Sequence, residues 1–155
     1  MKRLSGRNPL LLAVLAVTVS AGVAGGIVLT GGSSEAAAGP PGVLARGDFQ
    51  SVSWGTRGTA TIARDSSGEL VLRFDGSFTT QKAPDLLVYL VEYDSGGDRA
   101  KWRFVGELKS ASGRQRYDLP AAAAKMLDYS VEIYCTLCNK TSGVAKLRPT
   151  RLARS

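Results

Sequence analysis

From Arg46 onward the chain runs as short segments in which apolar and polar residues alternate, separated by glycine-bearing turns. Phe49–Trp54 (FQSVSW) puts Phe49, Ser51 and Ser53 on one face and Gln50, Val52 and Trp54 on the other. After a turn at Gly55–Gly58, Thr59–Ala63 is a β-branched run, and Asp65-Ser66-Ser67-Gly68 reads as a hairpin turn into Glu69–Phe74. Leu86–Val91 (LLVYLV) is apolar on both faces, which predicts a strand at the centre of a sandwich. Asp94–Lys101 is a polar loop, Trp102–Lys109 a short strand, and Ser110–Gly113 a turn into Arg114–Leu119. Pro120–Leu127 has helix propensity behind a first-turn proline, but about two turns cannot organise a fold. Tyr129–Tyr134 alternates again, and Val144–Leu147 reads as a final edge strand ended by Pro149. Seven to eight short strands at this spacing predict an all-β, antiparallel β-sandwich.

The N-terminus has a different texture. Lys2, Arg3 and Arg7 precede Pro9–Thr30, 22 residues without a charge. That length matches a membrane-spanning helix, which needs about 20 residues, better than the 7–15-residue core of a cleaved signal. Small-residue sites at Val19-Ser20-Ala21 and Ala36-Ala37-Ala38 leave cleavage and secretion as the alternative. Positive charge ahead of the segment places the rest of the chain outside the cell membrane. The expected organisation is a basic cytoplasmic stretch 1–8, an anchor or signal 9–30, a Gly/Ser/Pro-rich linker 31–45, an extracytoplasmic domain 46–148 and a basic tail 149–155.

Charge narrows the partners. The chain carries 20 Lys and Arg against 13 Asp and Glu, a net +7. Setting aside Lys2, Arg3, Arg7 and Glu35 leaves 17 against 12 from Val43 onward, and four of those cations (Lys146, Arg148, Arg151, Arg154) fall in the last ten residues. The body of the domain is therefore nearly neutral. It lacks the basic, aromatic-interleaved face of a nucleic-acid binder. Expected partners are the membrane, through the N-terminal helix, and a redox or cell-surface protein.

Candidate chemistry converges on Cys135 and Cys138, the only cysteines, in a chain with no histidine. Histidine-based hydrolase arrangements are thereby unavailable. In an extended strand residues three apart lie about 10 Å apart, beyond the roughly 7 Å a disulfide spans. A bond between the two therefore requires a turn at Thr136-Leu137. Three states remain open: a passive disulfide, a redox-active dithiol, and two separate thiols. Haem of the c type needs histidine where Asn139 stands, and two thiols fall short of a zinc or iron–sulfur set, so no cofactor or metal is expected. Asp94 and Asp98 flank a glycine pair in the manner of a calcium loop, though a solvated loop is the simpler reading. Trp54, Tyr89, Tyr93, Trp102, Phe104 and Tyr134 could line a sugar platform, with packing the simpler reading.

Three segments taken together, Pro84–Leu90 (PDLLVYL), Gly106–Pro120 (GELKSASGRQRYDLP) and Tyr129–Cys135 (YSVEIYC), resemble the DM-thirteen domain family, and Gly47–Ile62 resembles its opening. The resemblance covers about Arg46–Leu147. It implies a small extracytoplasmic β-sandwich, often membrane-tethered in bacteria, with an electron-transfer role and a characteristic late-strand cysteine, here Cys135. The sequence departs from the pattern beyond that point, where Cys138 is extra and polar residues replace the expected aromatic ones. A histidine often seen near the first glycine turn is also missing, with Trp54 thereabouts. The resemblance implies a redox role for Cys135 alone. With the second cysteine beside it, the expected function is a redox accessory rather than a stand-alone enzyme, Cys135 exchanging electrons and Cys138 acting as its resolving partner. The competing class is a cell-surface binding or structural module in which the pair is a staple.

Overall fold

The computed structural model describes residues 41–151 apart from Asp94 and Gly96. The predicted anchor 9–30, the linker up to residue 40, the tail beyond residue 151 and the Asp94 half of the calcium reading lie outside the described residues. Among them no helix is long and apolar enough to cross a membrane.

The described chain is all-β. Its strands are β1 (Gly42–Ser51), β2 (Thr59–Arg64), β3 (Leu70–Phe74), β4 (Leu86–Val91), β5 (Trp102–Glu107), β6 (Gln115–Asp118), β7 (Ser130–Cys135), β8 (Lys140–Lys146) and a two-residue β9 (Arg148–Pro149). All pairings are antiparallel, in the order β5-β4-β7-β8-β1-β2-β3-β6, with β9 on the first half of β1. The two ends of this row approach each other. The Lys109 amide donates to Gln115 Oε1 (3.1 Å) and Tyr117 Oη (3.3 Å), and the Tyr117 ring lies against Gly106. The strands thus make a nearly closed barrel or sandwich whose two halves share β1: its first half pairs with β2 and β9, and its last residues pair with β8.

The alternation read from the sequence lines this barrel. Ile62, Leu72, Phe74, Val88, Leu90, Val131, Ile133 and Ala145 are buried in one cluster with Phe49, Phe78 and Tyr117. Phe74 is the hub of the aromatic part. Its ring centroid lies 5.1 Å from Phe49 in an edge-on arrangement, 4.7 Å from Phe78 and 5.6 Å from Tyr117.

Four local readings are corrected. Leu86–Val91 is not central; β4 is second in the row, and its outer residue Tyr89 is covered by rings of neighbouring strands, not by a second sheet. The final strand is not an edge, since β8 begins at Lys140 and pairs with both β7 and β1. Pro149 does not end the pairing but lies opposite Ala45. Pro120 precedes a single 3-10 stretch, Ala121–Lys125, in place of an α-helix. In addition, β1 starts at Gly42, inside the stretch read as linker, and buries Ala45 completely.

The β1–β2 connection is held down by hydroxyls. Thr56 Oγ1, Thr80 Oγ1 and Ser142 Oγ form a buried triangle with sides of 2.8, 2.8 and 2.7 Å. Three buried polar groups satisfy one another there, which a lone hydroxyl at that depth could not do.

Candidate functional site

β7 carries the site because it is fixed on both sides, by β4 and by β8. Its inward residues Val131, Ile133 and Cys135 are all fully buried. Beyond Cys135 the chain turns through Thr136–Asn139 and returns as β8, with Asn139 at φ 53°. Asparagine tolerates that left-handed conformation better than most side chains. The turn places the Cys135 and Cys138 Cα atoms 5.2 Å apart, and the two sulfurs are bonded. Of the three states open from the sequence, the structure holds the disulfide.

The two sulfurs are not equivalent. Cys135 has no solvent exposure, whereas Cys138 is partly exposed beside Thr136 and Leu137, the latter 76% exposed. The Cys138 amide donates to Cys135 Sγ at 3.0 Å, and the Pro84 carbonyl oxygen lies 3.2 Å from the same sulfur. A disulfide sulfur has no proton to donate, so the Pro84 contact is a close approach while the bond is intact. The Asp85 carbonyl, set by a residue at φ 55°, accepts from the Thr136 amide at 3.3 Å.

A second clasp closes the same turn. Tyr134, just before Cys135, donates its hydroxyl to Asn139 Oδ1, just after Cys138. Arg99 donates to both the Tyr134 hydroxyl and Asn139 Oδ1. Its guanidinium sits 4.7 Å above the Tyr134 ring and 5.8 Å from the Trp102 ring. Arg99 is positioned by a 3-10 turn, Arg99–Lys101, whose N-cap Asp98 accepts from the Ala100 amide at 3.0 Å. Asp98 is therefore occupied as a helix cap, and no metal-holding cluster occurs among the described residues.

Four of the six aromatic candidates, Tyr89, Trp102, Phe104 and Tyr134, meet on the outer face of β4, β5 and β7, ring against ring at 5.2–6.4 Å. Trp54 instead packs against the core, and Tyr93 lies under the Lys146 ammonium at 4.6 Å. Sequence reasoning missed Arg99 and Asn139. Nothing in a strand pattern links a loop arginine to a turn 35–40 residues later.

On the same face, Glu132 lies opposite Tyr89 and Val144. Burial pushes its carboxyl above the ordinary range, against a smaller downward pull from the Thr141 hydroxyl at 3.2 Å. The folded state thus favours the neutral acid. Its ionisation costs stability as pH rises from the ordinary glutamate value of about 4.3 through the raised folded value, and nothing below that window. Glu132→Gln is expected to raise the urea midpoint at about pH 7 and to leave it unchanged at about pH 3. An unchanged midpoint at neutral pH would contradict this.

No curated protein and no solved structure matches the chain. A family model does, over residues 48–147, and its description is Electron transfer DM13. The matched stretch runs from Asp48, within β1, to Leu147 and contains the cystine, its turn and the Arg99 clasp. The chain belongs to the electron-transfer DM13 family.

Proposed function

We propose that the chain is a redox accessory protein that exchanges electrons through the Cys135–Cys138 pair, in a domain held outside the cell membrane by its N-terminal segment. One observation carries the redox part: the four-residue turn bridged by the disulfide is already closed by the Tyr134–Asn139–Arg99 clasp. A disulfide across so short a loop stabilises by only about 2 kcal/mol in the chain-entropy treatment. As a staple it is largely redundant, whereas a turn that keeps its shape without the bond suits repeated opening and closing. The family's electron-transfer description supports the same reading.

The alternative is a cell-surface binding or structural module with a passive disulfide. It is favoured by the complete burial of Cys135. The two separate on reversibility. When the folded full-length chain is reduced with dithiothreitol, two thiols are expected to appear with the far-ultraviolet spectrum retained, and to re-pair on return to a disulfide buffer. A pair that yields thiols only on unfolding would support the staple. The uncharged segment 9–30 and the basic residues ahead of it support the location, and protease protection of the domain in intact cells would contradict it.

A further inference from the structure

Resting on the redox reading above, we propose that Cys138 is the sulfur a partner thiol attacks and that Cys135 is the sulfur that leaves. This reverses the roles expected from the sequence, in which Cys135, at the family's cysteine position, exchanges and the additional Cys138 resolves. It rests on the asymmetry of the pair. Cys135 Sγ lies at the inner end of β7 with no exposed surface, while Cys138 is partly exposed on the turn. An attacking thiolate must reach the sulfur it bonds to, and access is one of the factors that sets which sulfur reacts.

The surroundings of Cys135 suit a leaving group. When the bond breaks, its electron pair stays on Cys135 Sγ, where the Cys138 amide, 3.0 Å away, donates to the developing thiolate. A hydrogen bond donated to the sulfur as negative charge develops on it stabilises the departing group. Once protonated, the same sulfur has the Pro84 carbonyl at 3.2 Å as acceptor for its S–H. The buried sulfur is therefore provided with a donor for its anionic form and an acceptor for its neutral form.

The reaction balances with a dithiol as co-reactant. One thiolate of the partner attacks Cys138 Sγ, forming a mixed disulfide as the Cys135–Cys138 bond breaks. Cys135 takes up a proton. The partner's second thiolate then attacks the partner's own sulfur in the mixed disulfide and releases Cys138, which is protonated in turn. The partner dithiol becomes a disulfide, losing two electrons and two protons, and the pair gains both as two thiols. The reverse sequence oxidises the pair.

The test compares Cys135→Ser and Cys138→Ser, each in the full-length chain, for the rate of forming a mixed disulfide with glutathione disulfide. The variant keeping Cys138 is expected to react about tenfold faster or more. Equal rates, or a faster reaction at Cys135, would overturn the proposal. Should either serine variant fail to fold, the reduced wild-type chain is treated with less than one equivalent of iodoacetamide and the modified cysteine located by mass spectrometry. Cys138 is expected to carry the label first, and label on Cys135 overturns the assignment. Failure of this inference is distinguishable from failure of the redox reading. If dithiothreitol never releases two thiols from the folded chain, the redox reading falls and this inference with it. If two thiols appear reversibly but Cys135 is modified first, only the inference falls.

Discussion

Phe74→Ala is expected to remove a large share of the stability of the domain. Phe74 is 2% exposed and touches the Phe49, Phe78 and Tyr117 rings, so truncation opens a cavity at the point where β1, β3, β6 and the segment after β3 meet. Phe→Ala at such a site costs about 3–5 kcal/mol, because the lost transfer energy is joined by the cost of a space that neighbours only partly fill. Domains of this size are stable by roughly 5–15 kcal/mol in total. Phe104→Ala is the control: that ring is 61% exposed on the outer face, and its loss is expected to cost under about 1 kcal/mol. Guanidinium unfolding of both variants checks the pair. A Phe74→Ala loss no larger than that of Phe104→Ala would show that the aromatic cluster is not the centre of the core.

Gly143→Ala is expected to be nearly as damaging, for a steric reason. A Cβ on Gly143 would lie 2.5 Å from Thr56 Cβ, 2.6 Å from Cγ2 and 2.8 Å from Oγ1. Thr56 cannot step aside freely, because its hydroxyl is a corner of the buried triangle with Thr80 and Ser142. The strain of overpacking, about 1–3 kcal/mol, is therefore joined by the loss of partners for buried hydroxyls, again about 1–3 kcal/mol. Adding Thr56→Ser, which removes the crowding methyl but keeps the hydroxyl, is expected to recover part of the loss, and the excess over additivity measures the contact. A Gly143→Ala chain with an unchanged unfolding midpoint would contradict the close approach of this loop to β8.

These two positions also show what the sequence makes legible. Phe74 closes an alternating run (Leu70, Leu72, Phe74), and alternation places a residue on the inner face before any coordinates exist. For the same reason β2, β4 and β7 fall within a residue or two of the ranges read from the pattern. Gly143 lies in Thr141-Ser142-Gly143, which reads as loop because polar residues rarely line a core. Here Ser142 is fully buried, yet satisfied by two hydroxyls distant in sequence, which no local pattern reports. Phe78 is similar: it has no alternating neighbours, and its burial follows from the pairing of Arg57 with Thr79. The reading of Leu86–Val91 as central fails because an apolar outer face can be covered by rings from neighbouring strands as well as by a second layer.

The site divides along the same line. Its cysteines, and the need for a turn between them, follow from spacing and covalent geometry alone. The inequality of the two sulfurs does not, because burial of Cys135 and exposure of Cys138 depend on how β7 is flanked and where its turn emerges. The Arg99 clasp is equally illegible, since it joins a 3-10 turn to a β-turn through side chains that share no periodicity.

The reduction potential of Cys135–Cys138 tests the redox reading most directly. The folded full-length chain is equilibrated in glutathione or dithiothreitol buffers of defined ratio, acid-quenched, and its free thiols trapped and counted. A midpoint between about −120 and −270 mV, the range of proteins that exchange disulfides with partners, is the expected result. A midpoint below about −300 mV, as for structural disulfides, would contradict it and leave the pair as a staple.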